Sequence, residues 1–576
     1  MKSSLPFFAL LALSACDAGH ATPDADAATD AAALLDLGTP TADAAAPPDA
    51  AVPPDAAIPP TPDAAAPDAA TPDAAAPPGF YAPAAEAAIA DAVTADLDRT
   101  LATGAQIAVW HGGALVYVRS FGFRDPASTE PVDDDTVFQI GSDTKKMTAV
   151  LALQQVAAGR MTLGSTVAET LPGLTLAASP EWAGQATLHD LLSHQGGLYD
   201  YTPWTEDPSD ASLGGIARGD FAANVWAMAP PGAFWNYANP NFSMAGYMTE
   251  TVAGRPWPDL AEQDLFAPLG LTHTFARREE AVATGDYALG TGVIVGPDGT
   301  PSADMGPVDL EHTIDNGFLR PAGLVWSTAS DMATFGAFFL DGDTNVLPDD
   351  LRTAMTTQQV RMYPAIDFQG YGYGWMTYGG FTIGQSYYAQ PMWQHGGNTM
   401  SETSLTWVLP EEDLSISILS NGYGDDFTLT GVALLAQSGL LPAQASPPPV
   451  YPTAETDHAR LAGTYAEHQV GDLIFSNVDG KLTVDIPQAA ALGLEYTPAL
   501  DYAGATDIYI LHVAGQDLDV TFIPDDTGEY RYARNRSFVG IRNPDAPRRS
   551  YTTPPRHRWS APDAESRRFG PGLPAF

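Results

Sequence analysis

From Asp17 to Phe80 the chain is built almost wholly of three residue types: 24 Ala, 13 Pro and 11 Asp fill 48 of these 64 positions, without one Lys or Arg and with five copies of Pro-Asp-Ala-Ala. Such a stretch has no apolar set to bury, and its prolines withhold backbone donors. It cannot join a core, so folding is confined to the rest of the 576 residues. Pro-rich chain is extended, at roughly 3.1 Å per residue, and aspartates repel one another. Residues 17–80 are therefore expected to form a disordered tether.

Residues 1–16 have the character of a secretory signal: Lys2, then an apolar run from Leu5 to Leu13 that is too short to span a bilayer. Cys16 is the one cysteine of the chain, which forbids an intramolecular disulfide and any Cys-based zinc site. Leu13-Ser14-Ala15-Cys16 resembles a bacterial lipobox. The resemblance implies cleavage before Cys16, lipidation of its thiol, and an exported lipoprotein anchored in a membrane of the bacterial cell envelope, on the periplasmic or surface side and within reach of the cell wall. With 70 acidic against 26 basic residues the net charge is −44, a field that repels a phosphate backbone and excludes nucleic acid as a partner.

Beyond residue 80 the patterns are globular. Ala85 to Thr103 has helical character, and the apolar stretches around His111-Gly112-Gly113 predict a hairpin. Mixed helical and strand-like segments continue through 81–445. After Ser446-Pro447-Pro448-Pro449, short alternating segments (Gly463-Thr464-Tyr465, Leu473 to Phe475, Asn477 to Val484, Ile508 to Val513, Leu518 to Ile523) predict a small antiparallel β-domain over 450–546. Residues 547–576 hold six Arg with little apolar periodicity and are expected to be a disordered basic tail.

Chemistry enters at Ser142-Asp143-Thr144-Lys145. The run after Gly141-Ser142 is rich in helix formers, so Ser142 sits at a helix start and Lys145 one turn on, on the same face. The chain has only four Lys against 22 Arg. A guanidinium cannot deprotonate, whereas a partly buried ammonium can be driven to the neutral amine, so a lysine beside a serine suits a base. Lys146 is expected to face solvent. Tyr237-Ala238-Asn239 offers a phenol and a carboxamide two residues apart.

These segments resemble the serine β-lactamase and D-alanyl-D-alanine carboxypeptidase superfamily in its class C-like branch. Phe138-Gln139-Ile140-Gly141, Gly159-Arg160-Met161-Thr162-Leu163, Leu188 to Leu198, Pro268-Leu269-Gly270-Leu271 and Ala322 to Thr328 occur in family order. The resemblance implies an α/β (α+β) fold: an antiparallel sheet flanked by helices plus a helical subdomain, here followed by the small all-β domain. It implies an acyl-enzyme on Ser142, with Lys145 as base, Tyr237 as proton relay and Asn239 orienting lysine and substrate. The family's third triplet falls on His395-Gly396-Gly397, with Asn398 after it; Gly396 and Gly397 let substrate approach the strand, and the backbone N–H groups of Asn398 and Ser142 would be the oxyanion donors. His111 and His194 are out of order for that triplet.

His395 stands where many relatives have lysine, which removes a permanent cation and makes carboxylesterases and D-aminopeptidases of the superfamily credible beside β-lactam or D-Ala-D-Ala chemistry. The expected substrate is a small molecule or peptide carrying an amide or ester. A non-catalytic wall-peptide binder is the alternative of another class. Tyr199, Tyr201 and Trp204 are candidate substrate walls, although packing is the more ordinary use of such residues. No metal-binding or nucleotide-binding motif rises above background, so no cofactor is expected.

Overall fold

Gly112 and Gly113 hold φ at 62° and 83°, a left-handed pair that L side chains resist, and they fold β1 (Gly104–His111) back onto β2 (Ala114–Gly122). The computed structural model in which this is seen describes residues 80–294, 302, 305–424, 427–451, 457–503, 507–513, 515–525 and 527–542. Cys16, all but the last residue of the tether, and the 547–576 tail lie outside the described residues. The described chain belongs to one compact unit.

The hairpin is one edge of an eight-stranded antiparallel sheet. Its other strands are β3 (Val360–Arg361), β4 (Gln369–Tyr371), β5 (Met376–Tyr378), β6 (Met392–Asn398), β7 (Thr403–Leu409) and β8 (Leu414–Ser420), in the spatial order β2-β1-β8-β7-β6-β5-β4-β3. β7 and β8 are buried at every position, as central strands covered on both faces are. Among the covering helices, α1 (Pro83–Arg99) begins at a proline, whose missing N–H costs a first turn nothing. Next in chain order are α2 (Thr144–Ala157), α3 (Asn239–Ala253), a single turn α4 (Arg320–Gly323), α5 (Ala329–Asp341) and α6 (Thr428–Gln437). α5 packs on β1 and β8, while α2, α3 and α4 pack on one another beside the sheet. The Thr328 side chain accepts from the Asp331 N–H and so caps α5.

A second antiparallel sheet has strands β9 (Gly463–Glu467), β10 (Gly471–Val478), β11 (Lys481–Asp485), β12 (Asp501–Tyr502), β13 (Ile508–Val513), β14 (Gln516–Pro524), β15 (Tyr530–Asn535) and β16 (Phe538–Arg542), in the order β11-β10-β9-β16-β15-β14-β13-β12. It has a core of its own around Tyr465, Phe475, Leu511, Val520 and Phe522. Ile508, Ile523 and Val539 join the main core instead. The all-β character expected of this region is observed, with three strands, β12, β15 and β16, that the sequence patterns did not reveal.

Arg534, on β15, is the staple between the sheets and is only 2% exposed. Its Nη1 donates to the carbonyls of Trp235 at 2.7 Å and Met362 at 2.8 Å, and its Nη2 to Thr521 Oγ1 at 3.1 Å. The guanidinium carbon lies 5.5 Å and 5.4 Å from the ring centres of Trp235 and Tyr363.

Candidate active site

A tight turn, Gly141–Asp143, carries Ser142 into α2. Gly141 has φ of 54°, and a Cβ there would fall 2.4 Å from the Asn398 nitrogen; a Cβ at Gly397 would fall 2.0 Å from the Ile140 oxygen and 2.5 Å from the Ser142 nitrogen. Only glycine at both places lets β6 press its backbone against the serine turn. The turn is held from two further sides. Ser404 Oγ on β7 donates to Ile140 O at 2.7 Å, and Ile140 N donates to Val325 O at 2.9 Å. One turn along α2, Thr148 Oγ1 donates to Pro321 O at 2.6 Å.

Lys145 is buried, with Nζ 2.6 Å from Ser142 Oγ, 2.7 Å from Asn239 Oδ1 and 2.8 Å from Ala322 O. The last two atoms can only accept, so two N–H bonds are committed to them. The third direction meets the serine: an ammonium donates to Oγ there, and a neutral amine presents its lone pair to the Oγ–H. The arrangement is satisfied in both protonation states, which is what a proton acceptor requires. Lys146 departs from expectation. It is 0% exposed, its Nζ is 2.6 Å from Asp143 Oδ1, and it lies 4.4 Å from the Trp375 ring centre. A carboxylate three residues back, itself receiving the Thr406 hydroxyl at 2.7 Å, draws this lysine inward rather than to solvent.

Tyr237 and Asn239 reach the same place from the start of α3. The Lys145 ammonium position is 4.8 Å from the Tyr237 ring centre. His194, set aside on chain order, is fully buried against that ring at 4.2 Å. Its φ of 56° is unusual for a side chain of this size. The strain is offset because its carbonyl accepts from Asn236 N at 2.8 Å, while its Nδ1 faces Ala238 N at 3.3 Å and Asn241 Nδ2 at 3.2 Å. Both neighbours donate, so Nδ1 is an acceptor and the ring is neutral. Burial, reinforced by the cations of Lys145 and Arg536, holds its pKa well below the usual histidine range.

His395 is buried on β6, with Nε2 3.1 Å from the Tyr371 hydroxyl and Nδ1 2.7 Å from Gly396 O. Its ring is 6.3 Å from that of Tyr237. Asn398, after Gly396 and Gly397 on the same strand, accepts at Oδ1 from Gly424 N at 3.1 Å and Thr403 Oγ1 at 3.2 Å. His111 lies at the far end of β1, facing the Asp413 carbonyl at 3.1 Å. Tyr199 and Tyr201 are buried: Tyr199 stacks on Trp226 at 4.0 Å and Tyr201 donates to Asp220 at 2.7 Å. Both side chains are engaged in packing and hydrogen bonding within the fold.

Three participants escaped the sequence patterns. The Ala322 carbonyl lies in a segment recognised only by resemblance. Asp200 Oδ1 accepts the Asn239 N–H at 2.8 Å, at the positive end of α3. Arg536, in the turn between β15 and β16, pairs with Asp200 Oδ2 at 2.6 Å and places its guanidinium 4.5 Å from the Tyr237 ring centre. Among the described residues, no group of three or more His, Cys, Asp or Glu could hold a metal ion.

Comparison with known proteins agrees with this geometry. The Beta-lactamase family model matches residues 89–438. Penicillin-binding protein 4 of Amycolatopsis lactamdurans is 32% identical over 381 residues, covering 63% of this chain and 92% of its own. A putative D-alanyl-D-alanine carboxypeptidase of Escherichia coli strain K12 is 25% identical over 307 residues, covering 50% of this chain and 69% of its own. Among solved structures, SurE superposes with a TM-score of 0.58 at 22% identity, covering 80% of this chain and 98% of that one. A class C beta-lactamase gives 0.50 at 17%, covering 61% and 96%. At such identities the two structures speak for the fold alone. With the family model spanning well over half of its length, the chain belongs to the beta-lactamase family of serine hydrolase-like proteins.

Proposed function

We propose that the protein hydrolyses an amide or ester through an acyl-enzyme on Ser142. The observation that carries this reading is the position of Lys145 Nζ, 2.6 Å from Ser142 Oγ with two acceptors fixing its other N–H bonds. The amine takes the Oγ proton as Oγ attacks the substrate carbonyl. The N–H groups of Ser142 and Asn398, brought together by the Gly141–Gly397 approach, receive the oxyanion. Tyr237 passes a proton to the leaving amine or alkoxide, Asn239 orients Lys145 and the substrate amide, and water then frees the acyl group. His395, bonded to Tyr371 and 6.3 Å from the Tyr237 ring, contacts the substrate carboxylate or the Tyr237 network in this reading.

A D-Ala-D-Ala or β-lactam substrate of the cell envelope is the first reading, and likeness to a penicillin-binding protein supports it. The buried imidazole of His395 supports a second one, a carboxylesterase or D-aminopeptidase, because it offers substrate no permanent cation. Incubation with a fluorophosphonate and with a fluorescent penicillin tests the common step: labelling of wild type and not of Ser142→Ala is expected. A folded wild type that neither probe labels would favour a non-catalytic peptide binder. Hydrolysis of nitrocefin, D-Ala-D-Ala peptides, D-amino-acid amides and p-nitrophenyl esters then separates the substrate readings.

The protein is further proposed to be an envelope lipoprotein held by a lipid on Cys16, its catalytic part spaced from the membrane by residues 17–80. Replacement of Cys16 by Ala should move it from the membrane fraction to the soluble one, and equal retention would refute the anchor.

A further inference from the structure

The family model ends at residue 438, yet the serine site is completed from residue 536. Arg536 makes three contacts on and beside the Tyr237-Ala238-Asn239 segment, with Asn236, Tyr237 and Asp200. Its carbonyl accepts from Asn236 Nδ2 at 3.3 Å, its guanidinium lies over the Tyr237 ring, and its Nη2 and Nε donate to Asp200 Oδ2 at 2.6 Å and 3.0 Å. Asp200 in turn accepts the Asn239 N–H, and Asn239 accepts from Lys145. A continuous set of bonds thus runs from the second sheet to the base: Arg536, Asp200, Asn239, Lys145, Ser142.

We propose that Arg536 is a positioning residue for the Tyr237–Asn239 segment and a neutralising partner for Asp200, so that the C-terminal sheet is part of the hydrolytic apparatus rather than an appendage. The proposal rests on the acyl-serine reading above. Asp200 is 5% exposed and sits one residue contact from the base. Unneutralised, its charge would favour the ammonium form of Lys145 and leave less of the free amine that can take the Ser142 proton at neutral pH. Arg536 cancels that charge at 2.6 Å. For the same reason it is not a free receptor for a substrate carboxylate: its fork is engaged with Asp200.

Among the described residues, the charged and titratable groups around Tyr237 and Lys145 include His194 from the loop before Asp200, Asp200 itself behind Asn239, Arg536 from the β15–β16 turn, His395 from β6 and, bonded to His395, Tyr371 from β4. On α2 the Asp143–Lys146 pair is closed on itself, and on α4 Arg320 is turned to Asp315 and Asp210. Arg536→Gln therefore changes one charge in a defined set.

The test is the second-order rate of Ser142 labelling across pH 5 to 10 in the full chain, with circular dichroism for folding. Arg536→Gln should label about ten- to a hundredfold more slowly at pH 7, and its acid limb should move up by about one pH unit because a bare carboxylate now faces the base. Asp200→Asn combined with Arg536→Gln should return the limb to within about 0.3 of wild type. Arg536→Lys keeps the charge and should leave the limb in place, and it carries the test should Arg536→Gln fail to fold. Arg534→Gln, which loosens the same sheet without touching Asp200, should lower the melting temperature and not move the limb. A folded Arg536→Gln with a wild-type rate and limb, or an Arg534→Gln that shifts the limb equally, overturns the proposal alone. A wild type labelled by neither probe overturns it together with the acyl-serine reading.

Discussion

Two neighbouring lysines with opposite fates show how much one acceptor decides. Lys145 meets two groups that can only accept and one hydroxyl that can also donate, whereas Lys146 meets a carboxylate. Lys145→Arg keeps a cation but cannot release a proton, so Ser142 labelling should fall about 10²- to 10⁴-fold while circular dichroism stays native. Lys146→Met leaves Asp143 buried and uncompensated; the melt should show a loss of about 3–5 kcal/mol, largely recovered when Asp143→Asn is added. The Ser-x-x-Lys spacing made Lys145 legible, because helical periodicity alone puts it on the serine's face. Lys146 was misplaced although Asp143 stands three residues before it, the spacing of a helical ion pair. What the sequence could not supply is that Thr406 and Trp375, more than 200 residues away, would close over that pair.

At the scale of elements, the site is a meeting of strand β6, the serine turn and the start of α3. The triplet at 395–397 was legible through the family resemblance and its order in the chain. Strands β15 and β16 were not, because Arg531, Arg534, Arg536 and Arg542 interrupt the apolar pattern over Tyr530–Arg542. A buried arginine bonded to main-chain carbonyls has no signature in composition. Nor did His194 have one, since its use depends on a left-handed backbone and on donors at 236–241. The approach of β6 to the serine turn yields a sharp expectation. Gly397→Ala puts a methyl 2.0 Å from a main-chain oxygen that Ser404 also holds, so the two backbones must part. Labelling of Ser142 should drop at least about 100-fold, the scale on which loss of one oxyanion donor is felt. Gly112→Ala, whose Cβ meets nothing within 4 Å, should leave labelling intact and cost stability only through its φ.

For the whole molecule, two buried groups pull stability in opposite directions with pH. Glu467, on β9, is pushed by burial from 4.5 up to about 7 even though the N–H groups of Gln469 and Val470 bond to it. Its folded form holds the proton more tightly than the unfolded one, so stability is full below about pH 4.5 and lost as pH rises through 7. His194 is held below 6.5, so its contribution is full above that value and lost as pH falls. Glu467→Gln keeps the acceptor oxygen and sheds the charge. Melts at pH 8 should show a gain on the order of 3 kcal/mol that vanishes near pH 4. The ion pair between Arg536 and Asp200 spans 336 residues of chain. A chain made N-terminus first, at about 5–20 residues per second, exposes Ser142 and Lys145 long before it can close that pair, an interval of roughly 20–80 s. If Arg536 serves as proposed, the site is completed last: a chain cut short before its final strands carries Ser142 and Lys145 but leaves Asp200 without its arginine.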